Sequence, residues 1–172
     1  DEYAVTASQQ QGPSRQVQLR KRNGEYLELE LDLLGGYQLK NIMTVMTALD
    51  RLRKTGWAIS DEAIREGLRS VKLNTGLQGR FDILREKPFL VVDVAHNEAG
   101  ISEVFKQVHQ LPHERLLIVT GFVQDKDVDH VLQLFPPDAI YFFTQAAIPR
   151  ALPSHELLAK ARQAGLQGES FP

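Results

Sequence analysis

The stretch FLVVDVAHN, residues 89–97, decides the fold of this chain. Its first four residues are apolar, and such short runs are typical of strands buried on both faces of a parallel sheet. Two similar runs follow at residues 116–119 and 139–143. Strands separated by single helices pair in parallel through right-handed crossovers. The pattern therefore predicts an α/β domain with a mostly parallel, doubly wound sheet whose last strands are missing.

The segments between these strands carry apolar residues at helical spacing. Ser154 is the predicted N-cap of the last helix, and Gly165 is expected at its C-terminal end. The expected buried faces are Ile101, Val104, Phe105 and Val108; then Val128, Val131, Leu132 and Phe135; then Leu157, Leu158 and Ala161.

The first 73 residues differ in pattern. Residues 7–24 are polar and are interpreted as loop or poorly ordered β structure, whereas residues 26–31 alternate apolar and acidic side chains like a half-exposed strand. A helix is predicted from Gln38 to Gly56, followed by another that Ser60 caps. The expected buried faces are Leu39, Ile42, Met43, Met46, Leu49 and Leu52 in the first helix, and Ile64, Leu68 and Val71 in the second.

Residues 74–79 have the composition of a linker. We therefore predict a boundary there, with one domain portion at residues 1–73 and a second domain at residues 80–172.

The composition argues against several classes of function. The 172 residues have a net charge of −2 and contain no cysteine, which argues against general nucleic-acid affinity, disulfides and thiolate metal sites. No apolar run approaches the roughly 20 residues that span a bilayer, and the start lacks a signal peptide. We interpret both ends as boundaries made by cloning or proteolysis. No metal site is predicted, because Pro112 breaks the helix that would align His109 with His113.

Polar residues follow each of the three predicted strands. They are the segments 93–97 and 120–127, and then Thr144, Gln145 and Arg150. In open parallel sheets ligands bind at this edge. The alternative is structural: Asp93 and Asn97 cap the next helix and the side chain at position 96 is solvated.

Five segments, in this order, resemble the folylpolyglutamate synthases of the Mur-ligase superfamily. They are Leu34-Gly35-Gly36-Tyr37-Gln38-Leu39-Lys40-Asn41, Gly79-Arg80-Phe81-Asp82, Asp93-Val94-Ala95-His96-Asn97, Gly121 with Asp125-Lys126-Asp127, and Arg150-Ala151. The chain departs from the family pattern at three places. Tyr37 replaces a histidine, Val94 replaces a glycine, and Leu77-Gln78 replace Trp-Pro. A G-x-x-G-K-[ST] phosphate loop, which belongs to the family's N-terminal domain, does not occur in this sequence.

The resemblance implies a Rossmann-like C-terminal ligase domain preceded by the tail of the central ATP-binding domain. It also implies an ATP-dependent ligase that adds L-glutamate to dihydropteroate or a folate through an acyl phosphate. Mg²⁺ would be held mainly by the missing N-terminal domain. We expect a cytoplasmic monomer without nucleic-acid or membrane partners.

The resemblance also implies roles for single residues. Arg80 would bind phosphate oxygens with its guanidinium, and Asp93 would accept hydrogen bonds from ribose. Gln38 and Asn41 would contact adenine through their amides.

His96 would donate to phosphate or place the incoming amine. Lys126 would lie near glutamate or the phosphates, and Arg150 would pair with a glutamate carboxylate. We expect Arg80, Asp93, His96 and Lys126 to share one cleft that faces the absent nucleotide-binding lobe.

Two other functions remain open from the sequence. One is a Mur-type ligase that joins amino acids to a nucleotide-linked sugar. The other is a non-catalytic α/β binding module. For the 172-residue chain alone we expect no ligation and at most weak ATP binding, because the phosphate loop is missing.

Overall fold

A computed structural model describes residues 2–124 and 127–172. The chain divides into two compact units after Val94. The boundary predicted at residues 74–79 lies earlier than this division. Residues 80–93, which follow it, belong to the first unit, where Asp82 pairs with Lys72 and Asp93 accepts the Tyr37 hydroxyl. The predicted boundary stays a prediction.

The first unit begins with an antiparallel sheet in the order β1-β2-β3, formed by Tyr3–Gln11, Ser14–Lys21 and Tyr26–Leu31. The strand at residues 26–31 is confirmed. Of the two readings of residues 7–24, the loop is wrong and β structure is confirmed, because most of this segment lies in β1 and β2. In β2, Val17 and Leu19 alternate with polar residues, and this period of two buries both side chains. The C-terminal end of β1 is exposed to solvent.

Helices α1 (Gln38–Lys54), α2 (Asp61–Arg69) and α3 (Val71–Thr75) follow. The first two confirm the helical patterns, and Ser60 Oγ accepts the Ala63 N–H at 3.0 Å as the predicted cap. Two details are wrong: Leu52 is 41% exposed, and Val71 begins α3 rather than extending α2. The core of this unit is Tyr3, Val17, Leu19, Leu29, Leu31, Ile42, Met46 and Ile64.

Strands β4 (Arg80–Glu86) and β5 (Phe89–Asp93) form an antiparallel hairpin. The strand predicted at residues 89–92 is confirmed, but its burial on both faces is wrong, since Leu90 is 43% and Val92 40% exposed. Strand β4 was not predicted because charged residues interrupt its apolar alternation. The segment read as a linker is partly structured, with Thr75 in α3 and Gly79 buried.

The second unit has a parallel sheet, β6-β7-β8, formed by Leu117–Thr120, Ile140–Phe143 and Gln167–Ser170. The α/β fold class and the parallel pairing of β6 with β7 are confirmed. The parallel pairing expected for β5 is wrong, because β5 pairs antiparallel with β4. Tyr141 and Phe143 are fully buried against the helices, whereas Val119 on the other face is 71% exposed, so burial on both faces is wrong here too.

Helices α4 (Glu98–Val108), α5 (Val128–Leu132) and α6 (Ser154–Gln163) belong to this unit. Asn97 Oδ1 accepts the Gly100 N–H at 2.8 Å, so the capping alternative is confirmed for Asn97. Ser154 is the first helical residue after Pro153 and makes no cap, contrary to the prediction. Gly165, with φ of +84°, ends α6 as expected.

In the part of the chain that the structure describes, no helix is long and apolar enough to cross a membrane.

Candidate ligand-binding site

A cavity of about 550 Å³ opens in the second unit where β6 and β7 end. This is the edge at which the sequence predicts a ligand, because parallel strands open a crevice beyond their carboxyl ends. The residues that line the cavity are His96, Gly121, Phe122, Val123, Thr144, Gln145, Ala146 and Arg150.

Backbone hydrogen bonds hold the two walls of this cavity together. The Gln124 N–H donates to the Arg150 carbonyl at 2.9 Å, and the Leu152 N–H donates to the Phe122 carbonyl at 2.8 Å. Between them Val123 and Ala151 form an antiparallel bridge. The loops after β6 and β7 therefore brace each other, and the backbone of Arg150 is fixed at the rim.

Gly121 allows the walls to approach closely. A Cβ at this position would lie 2.7 Å from the Thr144 carbonyl oxygen, a backbone atom that cannot easily move. Any side chain at residue 121 would therefore push the two loops apart.

The polar side chains of the cavity suit an anionic ligand. The guanidinium of Arg150 makes no hydrogen bond or ion pair with the residues that the structure describes, and the residue is exposed. His96 directly precedes Asn97, the N-cap of α4, so it lies at the positive end of a helix dipole. Gln145 is held in place because its side-chain oxygen accepts the Ser154 N–H at 2.8 Å. This arrangement can bind a carboxylate.

The second candidate region lies in the first unit, at the segment Gly79–Asp82, hereafter the Arg80 segment. Asp82 is 8% exposed, and its carboxylate accepts the Gly79 N–H at 2.5 Å and pairs with Lys72 Nζ at 2.7 Å. Burial by itself would raise the pKa of Asp82, but the bonds from Lys72 and from backbone N–H groups hold that pKa below its usual range. Asp82 therefore stays charged and fixes the start of β4.

Asp93 bonds inward rather than to the helix that follows it. Its Oδ2 accepts the Tyr37 hydroxyl at 2.8 Å and the Phe81 N–H at 2.8 Å. Because Asn97 caps α4, the alternative in which Asp93 caps that helix is wrong. Asp93 instead connects the start of α1 to the Arg80 segment.

The two amides expected at adenine lie on the first turn of α1. Gln38 is 8% exposed, and its side-chain oxygen accepts the Asn41 side-chain N–H at 2.9 Å. Asn41 is exposed. The bond orients the Asn41 carboxamide, which can both donate to and accept from a ligand.

The structure thus brings the predicted residues together in two groups. Gln38, Asn41, Arg80 and Asp93 belong to the first unit, whereas His96 and Arg150 line the cavity of the second. Lys126 lies outside the described residues, and the common cleft expected for Arg80, Asp93, His96 and Lys126 stays a prediction.

The hydrogen bond from Tyr37 to Asp93 is the contact that sequence reasoning missed. It was noticed only as a departure from the family pattern, and no local signal connects it with a carboxylate 56 residues away. Thr144 and Gln145 were noticed at the strand end, and the structure adds both to the cavity lining.

Comparison with known proteins finds folylpolyglutamate and dihydrofolate synthases, with a Mur ligase of Wolinella succinogenes as a further relative. Residues 79–172 match the family model "Mur ligase, glutamate ligase domain". The chain is 26% identical over 168 residues to the folylpolyglutamate synthase of Lacticaseibacillus casei, covering 94% of this chain and 38% of that protein. Over 83 residues it is 40% identical to the dihydrofolate synthase/folylpolyglutamate synthase of Escherichia coli K12, covering 48% of this chain and 19% of that protein.

The fold agrees with a solved structure of the same kind. The folylpolyglutamate synthase of Mycobacterium tuberculosis, complexed with ADP and AMPPCP, superposes with a TM-score of 0.82 at 26% identity. The match covers 99% of this chain and 38% of that one. The chain thus spans well under half the length of these relatives.

Proposed function

The chain belongs to the Mur ligase family through its glutamate ligase domain, and on that premise we propose that it is part of an ATP-dependent ligase. The reaction joins L-glutamate to dihydropteroate or to a folate. The relatives named folylpolyglutamate and dihydrofolate synthases support this choice of substrate.

The observation that carries the proposal is the cavity at the ends of β6 and β7. It combines an exposed arginine on a braced backbone with His96 at a helix N-terminus. A guanidinium binds a carboxylate through two parallel hydrogen bonds, which fixes the orientation of the ligand. Arg150 would bind a carboxylate of glutamate, and His96 would contact phosphate or place the incoming amine.

The proposed ligation requires a positively charged group near the phosphate that leaves. A carboxylate oxygen is a poor leaving group, so ATP supplies a phosphoryl group that converts the carboxylate into an acyl phosphate. The glutamate amine then forms the amide bond as phosphate leaves. Arg80 can offset the negative charge on the phosphate oxygens, which makes it the residue of the first unit with the largest expected effect on rate.

Nucleotide contacts are proposed for the first unit. Asn41 and Gln38 would contact the adenine edge with their oriented amides, and Asp93 would contact ribose. Lys126 is proposed near the glutamate or the phosphates from the family resemblance alone.

Mg²⁺ is proposed to be held mainly by the N-terminal domain of the family, as the resemblance implies. Residues 2–124 and 127–172 contain no cluster of three or more acidic or histidine side chains that could hold a metal ion. A monomeric state and a cytoplasmic location complete the proposal.

The test uses a full-length ligase that contains this chain, assayed with ATP, glutamate and dihydropteroate or a folate. Arg150→Ala is expected to raise the KM for glutamate about 10- to 100-fold, as the loss of a charged hydrogen bond predicts, with less effect on ATP. Arg80→Ala is expected to lower kcat/KM for ATP by at least as much. The matched controls, Arg162→Ala on α6 and Arg85→Ala on β4, remove exposed arginines outside both regions.

The outcomes separate the functions. Unchanged kinetics in both Arg150→Ala and Arg80→Ala would support the non-catalytic module. Activity on a nucleotide-linked sugar acceptor but not on pteroate compounds would support the Mur-type ligase.

A further inference from the structure

The Arg80 segment contains a β-bulge at Phe81. Arg80 pairs with Asp93 and Asp82 pairs with Val92, so Phe81 is an extra residue on β4. Its φ is +59°, a left-handed conformation that a bulky side chain rarely adopts. Bulges of this kind redirect neighbouring side chains and occur next to active sites.

Contacts on both sides of its backbone keep Phe81 in this conformation. Phe81 is 1% exposed, which anchors the residue in the protein interior. At the bulge its N–H donates to the Asp93 carboxylate at 2.8 Å. The direction in which Arg80 leaves the backbone thus depends on where the Asp93 carboxylate is held.

Tyr37 holds that carboxylate. Its hydroxyl donates to the same oxygen, Asp93 Oδ2, at 2.8 Å. Gly35 leaves room for the tyrosine ring, because a Cβ at residue 35 would lie 2.7 Å from ring atoms. Burial and the hydrogen bond to Asp93 raise the pKa of Tyr37, so the hydroxyl remains a donor at any physiological pH, while the nearby Arg80 opposes the rise.

We infer that Tyr37 and Asp93 are positioning residues whose hydrogen bond holds the bulge at Phe81 and so directs the Arg80 guanidinium toward a phosphate group. Tyr37 acts through Asp93 and Phe81 and does not itself contact the reacting atoms. The inference rests on the proposed function only for the role of Arg80, since the contacts themselves are independent of it.

The first test measures amide hydrogen exchange in the 172-residue chain by NMR. Tyr37→Phe removes one hydrogen bond from the Asp93 carboxylate and is expected to speed exchange of the Phe81 N–H about tenfold. The matched control is Tyr3→Phe, because the Tyr3 hydroxyl also donates to an aspartate, Asp50, at 2.7 Å but lies in the core away from the bulge. Equal Phe81 exchange in the two variants would overturn the inference.

The second test measures kinetics in a full-length ligase. Tyr37→Phe is expected to raise the KM for ATP about tenfold relative to Tyr3→Phe, and Tyr37→His, which restores a donor, is expected to recover part of the loss. If Tyr37→His recovers part of the activity, the effect of Tyr37→Phe comes from the lost hydrogen bond rather than from packing of the ring. No recovery in Tyr37→His would contradict the proposed mechanism.

Arg80→Ala distinguishes the two proposals. If Arg80→Ala is inactive but Tyr37→Phe behaves like Tyr3→Phe, the positioning inference fails and the ligase function stands. If Tyr37→Phe loosens the Phe81 N–H but Arg80→Ala retains full activity, the proposed role of Arg80 fails instead.

Discussion

The Arg80 segment and the cavity of the second unit use polar groups in opposite ways. At the Arg80 segment, the carboxylates of Asp82 and Asp93 accept the N–H groups of Gly79 and Phe81. Lys72 and Tyr37 hold those two carboxylates in turn. In the cavity, backbone bonds brace the walls while the Arg150 side chain remains exposed. The difference shows that one region is built to hold a side chain in place and the other to receive a ligand.

Of the substitutions considered, Lys72→Met is expected to have the largest effect, and it should destabilise the Arg80 segment. It leaves the buried Asp82 carboxylate without its cation, which should destabilise the first unit by about 2–3 kcal/mol, because one-third of the Lys72 side chain is exposed and solvent compensates in part. Hydrogen exchange resolved by peptide can report each unit separately. Equal losses of protection in both units would contradict the prediction.

Acid is expected to weaken the same segment. The pKa of Asp82 is lowered in the folded chain, so its contribution to stability is complete above the unfolded value of about 3.9 and is lost as pH falls through the folded value. The loss should be smaller than that of Lys72→Met, because a protonated carboxyl leaves no buried charge. Asp82→Asn should flatten the acid limb of the stability profile for the first unit, measured by denaturant unfolding. An unchanged profile would be evidence against this role.

Gly121→Ala is expected to push apart the two loops that form the cavity walls and to destabilise the second unit. The added methyl would lie 2.7 Å from the Thr144 carbonyl, and such overpacking costs about 1–2 kcal/mol in the second unit. Gly67→Ala is the control, because its Cβ would meet nothing within 4 Å and alanine favours the helix. Thermal unfolding compares the two, and equal melting temperatures would contradict the close approach.

Asn97→Ala is expected to have the smallest effect. It removes the cap of α4 beside His96 and should cost about 1 kcal/mol in the second unit. Asn97→Asp keeps an acceptor and serves as the matched control. Urea unfolding that shows no difference between the alanine and aspartate variants would argue against the cap.

Sequence reasoning identified the elements with a clear period. The apolar spacing of α1 and α4 and the short runs of β5, β6 and β7 predicted type and position, since these patterns reflect one buried face. It missed β4 and β8, and it gave β structure only as one of two readings for β1 and β2, because polar residues obscure the alternation in all four strands. It overstated the burial of the strands because apolar composition alone does not show what covers a face.

The candidate site was also predictable in part, because local sequence patterns show which residues follow the strands. Polar residues after parallel strands were expected at one edge, and His96 and Arg150 do line one cavity there. The partners of Asp93 were not predictable, because a hydrogen bond to Tyr37 depends on how α1 and β5 meet.

By itself the sequence determined the α/β class, the helical faces and the motifs that resemble a glutamate ligase, since these depend on residue type and local spacing. Only the tertiary structure decided that Asp93 bonds Tyr37 and Phe81, that Gly121 touches the Thr144 backbone, and that Arg150 is left exposed on a braced loop. Such contacts join residues far apart in the chain, and their geometry exists only once the elements have packed.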